Sequence, residues 1–390
     1  MTVIDMRNFF HDCDVELIEI NDNVIYYAEE KIEEGHHSLF LLEYNRVAQQ
    51  ERIVANYILN DEDYQQHYFA FENDIVVVME NGKNIAWVLR IDKQTGKEKN
   101  FEQIHFIGNF LQCKALSREY IFILTEENEE HSKLFAEYRS LTDLRHIAYL
   151  YNMERREYHY IKDKRICEAD CSCLIPYLGK GIMKLLVLQP YGSEREKEHC
   201  YKNRCWLGSH ICDKAWTCDL ESLVHAVRCE HEIKMQLLFS SDSSGMIRYV
   251  GMDEKNIYFK AKHFPWNDLR LCAVDKETNA RFVAASLTLK DRESDAEYWI
   301  DTVNMRGIRV TKQDQELKIK GFLNTCINAE YQKGQGEFIS CVDDRFILEQ
   351  QVVQGEEESF CFTEIYDCRT KKRQSFESGC AVQGDIVVLY

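Results

Sequence analysis

Asn21-Asp22-Asn23-Val24-Ile25-Tyr26-Tyr27 is a short polar turn that runs straight into an apolar strand. The figure returns as Glu72-Asn73-Asp74-Ile75-Val76-Val77-Val78, then as Ser117-Arg118-Glu119-Tyr120-Ile121-Phe122-Ile123 and Asp253-Glu254-Lys255-Asn256-Ile257-Tyr258-Phe259. Asp343-Asp344-Arg345-Phe346-Ile347-Leu348 and Gly384-Asp385-Ile386-Val387-Val388-Leu389 are further copies, with weaker ones near Gly181-Ile182-Met183 and Tyr298-Trp299-Ile300. Val, Ile, Tyr and Phe dominate these runs, and only three prolines interrupt the chain. The runs are continuously apolar rather than alternating, which is what strands buried on both faces require.

A second figure alternates with the first, a strand ending in a tight polar turn. It is clearest at Ile91-Asp92-Lys93-Gln94-Thr95-Gly96, Val274-Asp275-Lys276-Glu277-Thr278-Asn279 and Tyr366-Asp367-Cys368-Arg369-Thr370. Degenerate copies read Tyr44-Asn45-Arg46, Tyr151-Asn152-Met153-Glu154 and Cys218-Asp219-Leu220-Glu221-Ser222, with one more near Val310-Thr311-Lys312-Gln313. Asp or Asn at the turn entry bonds the backbone two residues on, and Gly or Asn takes the positive φ. Seven copies at a mean spacing of about 54 residues leave room for four strands each, one propeller blade.

The sequence therefore predicts an all-β protein, a single β-propeller over residues 1–390 with seven four-stranded blades. Their bounds fall near 10–60, 61–110, 111–165, 166–232, 233–290, 291–335 and 336–390. Ala381 to Tyr390 is an extra copy of the opening figure, expected to pair with the N-terminal blade and close the ring. Two stacked β-sandwiches would share the strand content but not the common period.

These repeats resemble those of bacterial β-propeller proteins of unknown function built from degenerate Asp-Asn-x-Ile-Tyr-Tyr blades. The resemblance implies a fold and no activity. The chain lacks the Gly-His and Trp-Asp pairs of WD repeats and the double glycines of kelch, and Ser240 to Gly245 only approaches an Asp-box.

The net charge of −18 repels phosphate backbones and anionic lipid, so neither nucleic acid nor membrane is an expected partner. No basic and apolar leader opens the sequence, and no apolar run approaches bilayer length, so a cytoplasmic location is expected. Sixteen cysteines without regular pairing intervals fit a reducing compartment.

Neither a Gly-x-Gly-x-x-Gly nor a Walker-type loop nor a Gly-x-Ser-x-Gly elbow occurs, and His231-Glu232-Ile233-Lys234-Met235 lacks the second zinc-protease histidine. Half of the cysteines (Cys167, Cys171, Cys173, Cys200, Cys205, Cys212, Cys218 and Cys229) cluster around His199 and His210. Their spacing matches no zinc knuckle, so they read as buried free thiols with no metal and no cofactor. The candidate binding residues are His36 and His37 in one loop and His263, Phe264, Trp266 and Asp268 in another. An apolar tip beside polar handles suits a protein or carbohydrate ligand. The loops between second and third strands carry the insertions, at Glu126 to Asp143, Pro190 to Lys214 and His263 to Asp268. Leu134, Phe135, Tyr138 and Leu141 recur at helical spacing in the first of these. The expected function is a non-enzymatic recognition scaffold working through that face, with the tight-turn face offering little. The alternative is a hydrolase or lyase acting on a sugar or peptide in the central channel.

Overall fold

The computed structural model describes residues 1–7, 14–33, 36–59, 64–169, 171–190, 211–240, 246–263, 268–287, 296–313, 316–354 and 359–390. The chain divides into two compact units, Cys13–Asp242 and the pair Met1–Asp12 with Ser243–Tyr390.

The Cys13–Asp242 unit holds blades 1 to 4, each an antiparallel meander in chain order. Their strands are Asp14–Ile20, Val24–Glu33, His36–Asn45 and Gln50–Leu59 in blade 1 and Gln65–Ala70, Asp74–Glu80, Ile85–Asp92 and Glu98–His105 in blade 2. Blade 3 has Asn109–Ala115, Tyr120–Glu126, Ile147–Asn152 and Glu157–Ile161, and blade 4 has Leu174–Gly179, Ile182–Pro190, Ile211–Asp219 and Gln236–Ser240. Asp74–Glu80 is buried along its whole length, which explains its unbroken apolar run. Apolar clusters lie between consecutive blades. Leu41 and Val77 join blades 1 and 2, Val88 and Ile123 join 2 and 3, and Leu150 and Val187 join 3 and 4.

The other unit repeats the plan. Blade 5 is Met246–Met252, Asn256–His263, Asp268–Asp275 and Arg281–Ser286, and blade 6 is Ala296–Asp301, Arg306–Gln313, Glu316–Leu323 and Asn328–Tyr331. Blade 7 is Glu337–Val342, Phe346–Gln354, Ser359–Asp367 and Lys372–Glu377.

The eighth sheet corrects the expected count of seven. Cys380–Gln383 and Ile386–Leu389 form a hairpin, and Thr2–Asp5 joins it in parallel, Val3 opposite Val387 and Ile4 opposite Val388. The C-terminal strand thus pairs with the N-terminal strand in a three-stranded sheet of their own, not within the first blade. The chain is built of eight blades of β-propeller type. A count of tight turns does not register this sheet, which has one hairpin with a turn of the opening kind.

Both repeated figures are turns at the same end of a blade. The opening figure links first to second strand: the Asn21 Oδ1 accepts from the amides of Asn23 and Val24, and the Asp253 Oδ1 accepts from Lys255 and Asn256. The tight turns link third to fourth: the Asp92 carboxylate accepts from the Thr95 amide, the Asn152 side chain from Glu154 and Arg155, and Asp275 from Glu277 and Thr278. One backbone bond ties the two turns together in blade after blade. It runs from Arg46 to Asn23, Lys93 to Asn73, Met153 to Glu119, Lys276 to Lys255 and Cys368 to Arg345, at 2.8–3.0 Å.

Three weak copies fall elsewhere. Tyr298 to Ile300 belongs to the first strand of blade 6, whose opening turn follows at Asp301. Val310 to Gln313 runs along that blade's second strand. Cys218 to Ser222 leads not to a tight turn but to the helix Leu220–Arg228.

Candidate functional site

In a repeated architecture the departures from the repeat are the informative places. Blade 4 departs most at its tight-turn end, where nine residues of helix replace a four-residue turn. Leu220, Leu223, Val224 and Val227 fall on one helical face and are buried, the first turn follows Asp219 in extended conformation, and Arg228 closes the last turn. Leu223 and Val227 pack into the core between blades 3 and 4, leaving Glu221, Ser222, His225 and Arg228 exposed.

Beside this helix lies a cavity of about 1020 Å³ within the Cys13–Asp242 unit. The opening turns of blades 2, 3 and 4 converge on it, through Phe71 and Glu72, Ser117 to Glu119, and Gly181. Its base is apolar and buried, formed by Leu116, Tyr177, Leu220 and Val224. The Tyr177 hydroxyl is 2.7 Å from the Thr217 hydroxyl, and burial raises its pKa. One wall is the first hairpin of blade 4, where Leu178, Ile182 and Met183 are 61%, 45% and 41% exposed. Three large apolar side chains bared beside a cavity form an apolar patch, unlike the scattered single exposures of ordinary surfaces. Of the charged groups that line it, Arg118 lies 3.8 Å from Glu119 and Asp219 lies 3.7 Å from the buried Lys184, whereas Glu72, Glu221, His225 and Arg228 have no ion pair among the described residues. The expectation that the tight-turn end offers little is corrected here, because the blade-4 helix and its hairpin build a groove there.

A polar depression of about 630 Å³ lies at the same end of blades 1 and 2. Its side chains bind one another: the Tyr26 hydroxyl donates to Glu43 at 2.8 Å, Arg52 donates to Glu43 at 2.6 Å, and Lys93 pairs with Glu19. A surface whose donors and acceptors are already matched has little left for a ligand.

The residues singled out from sequence fall in two places. His36 and His37 start the third strand of blade 1, opposite Glu33 and Ile32, rather than lying in a loop. His263 ends the second strand of blade 5 and faces Asp268 across the register; Phe264 and Trp266 lie outside the described residues. The four described ones, His36, His37, His263 and Asp268, thus flank second-to-third connections. So is the helix Ser132–Thr142 of blade 3, which buries Phe135 and leaves Leu134 and Leu141 exposed. Of the cysteine cluster, Cys167, Cys171 and Cys218 lie in the core between blades 3 and 4, and Cys229 is exposed beyond the blade-4 helix. Burial pushes the Cys218 thiol up to about 12, helped by Asp219 and Asp163, and raises Cys167 likewise. Cys200 and Cys205 lie outside the described residues, among which no group of three His, Cys, Asp or Glu is placed to hold a metal ion.

Sequence reasoning missed the groove because three turns from three blades build it. The helix did carry a signal, apolar residues at positions 220, 223, 224 and 227, the i, i+3, i+4, i+7 spacing.

No family model matches the chain, and no curated protein does. Solved structures similar to it include the β-propeller domain of the Trilobed protease from Pyrococcus furiosus, 10% identical, covering 93% of this chain and 97% of that one at a TM-score of 0.43. A prolyl endopeptidase is 8% identical at a TM-score of 0.45; the match covers 93% of this chain and 49% of that one, so this chain spans about half its length. An oligogalacturonate lyase from Vibrio parahaemolyticus is 11% identical, with 96% and 90% covered and a TM-score of 0.40. At such identity and overlap, no activity and no residue role passes from these proteins to this chain.

Proposed function

We propose that this protein is a non-enzymatic recognition scaffold that binds a protein partner by taking an apolar segment into the groove beside the blade-4 helix. The observation that carries the reading is the exposure of Leu178, Ile182 and Met183 along a cavity with a buried apolar base. Burying one such side chain against a partner stabilises a complex by roughly 1.5–3 kcal/mol, about a tenfold change in affinity or more. The buried apolar base and the exposed apolar wall support binding of an apolar segment ahead of the hydrolase or lyase reading.

A random peptide library selected on the immobilised protein tests this, with Met183→Glu and Leu178→Asp as comparison baits. Both positions are exposed, so neither variant should unfold the blade. Enrichment of peptides with aliphatic or aromatic anchors, weakened at least tenfold on either variant, is the expected result. Equal enrichment on parent and variants would overturn the reading, and cleavage of a selected peptide would favour the hydrolase.

A further inference from the structure

Partly buried cations of this protein commonly have acidic partners among the described residues. Arg90 bonds Asp74 at 2.7 Å, Arg165 bonds Asp163 at 2.5 Å, and Arg373 bonds Glu349 at 2.8 Å. Blades 5 and 6 break that rule.

Lys260 stands on the second strand of blade 5, two residues from Tyr258 and so on the same face. Its cross-strand neighbours are Arg248 on the first strand and Leu271 on the third. Tyr258 and Leu271 both belong to the apolar cluster shared with blade 6, so this row of side chains faces blade 6. On blade 6, Tyr298 belongs to the same cluster, and its cross-strand neighbour is Arg309, followed by Lys320. Two rows carrying Arg248 and Lys260 on one side and Arg309 and Lys320 on the other therefore face one layer.

Among the described residues, Arg248 and Lys260 have neither a hydrogen bond nor an ion pair, and the Arg309 Nε is buried without a partner. Burial lowers the pKa of both Lys260 and Arg248, and Arg248 lowers Lys260 further. Two adjacent like charges that are partly withdrawn from water, with no counter-charge among the described residues, are costly. In a chain with 66 acidic and 48 basic residues, a partner was easily supplied. We propose that the layer between blades 5 and 6 binds an oxyanion, a phosphate or carboxylate group carried by a small ligand. Guanidinium forks and an ammonium supply the charge-assisted bonds such a group accepts.

Thermal unfolding and calorimetric titration test the site, with inorganic phosphate in one arm, acetate in the other and chloride at matched ionic strength as control. A saturable rise in Tm above chloride in either arm is expected, and the arm that gives it names the chemistry. Arg248→Met with Lys260→Met should abolish that rise and, in chloride alone, melt no lower than the parent, because it removes charge that has no protein partner. Lys260→Gln alone should weaken anion binding at least tenfold and provides the reading if the double variant does not fold. Arg345→Met, which breaks an ion pair with Asp367 in blade 7, should melt lower yet keep the anion response. No saturable response to either anion, or a response that survives Lys260→Gln, would overturn the proposal.

Discussion

Glu349 shows how far single residues in this protein depend on distant partners. It is fully buried and accepts hydrogen bonds from the Tyr331 hydroxyl, the Gly334 amide and Arg373. Glu349→Ala would strand all three donors, and a loss of about 3 kcal/mol by chemical denaturation is expected. Asp74 is the acidic counterpart in blade 2. Burial would raise its pKa, but bonds from Lys99 and Arg90 outweigh that and hold it below the ordinary carboxylate value. A depressed folded pKa contributes stability that is present above the unfolded pKa and lost as pH falls through the folded one. The stability gap between parent and Asp74→Asn should therefore stay constant above about pH 5 and close below about pH 4. A gap that widened on acidification would contradict the pairing. None of these partnerships was legible beforehand, since Asp74 lies 16 residues from Arg90 and 25 from Lys99 among many other charges. The turn carboxylates were legible, because Asp92 and Asp275 bond amides three residues away.

At the scale of elements, what could be read was what the chain does locally and repeatedly. The opening turns, the apolar second strands and the tight turns each fit within ten residues. Gly96 ends one such turn with φ of 67°, and a Cβ there would collide with the backbone of Val54 in blade 1. Gly384 ends another turn with φ of 58°, but open space surrounds it. Gly96→Ala should therefore cost distinctly more than Gly384→Ala, whose penalty is the αL strain of about 1 kcal/mol. Equal melting temperatures for the two would show that the contact between blades 1 and 2 is looser than described. The blade-4 helix was not legible in the same way, because Asp219 followed by polar Glu221 and Ser222 imitates the entry of a tight turn. Only its tertiary packing decides the outcome. Leu223→Ala should destabilise by roughly 2–5 kcal/mol, as removing a fully buried leucine does. An exposed helix would lose far less.

For the molecule as a whole, the period read from sequence gives the repeat but not its completion. Seven blades each close a meander from consecutive strands, whereas the eighth joins strands from opposite ends of the chain. Sequence distance hides such a pairing, since Thr2–Asp5 is too short and too plain to announce itself as a strand. Its role is visible only in the register, where the Thr2 amide donates to Asp385 at 2.8 Å and the Met6 amide to Leu389 at 2.9 Å. Val387, Val388 and Leu389 are fully buried, and each is worth roughly 1.5–3 kcal/mol. Whole domains are stable by only about 5–15 kcal/mol, so losing this sheet should be felt throughout its unit. Hydrogen exchange on the parent and on a chain lacking residues 1–7 tests this shared blade most directly. Amides of Ile386–Leu389 should be strongly protected in the parent and exchange rapidly in the truncation. Unchanged protection there would contradict an eighth blade made from both ends of the chain.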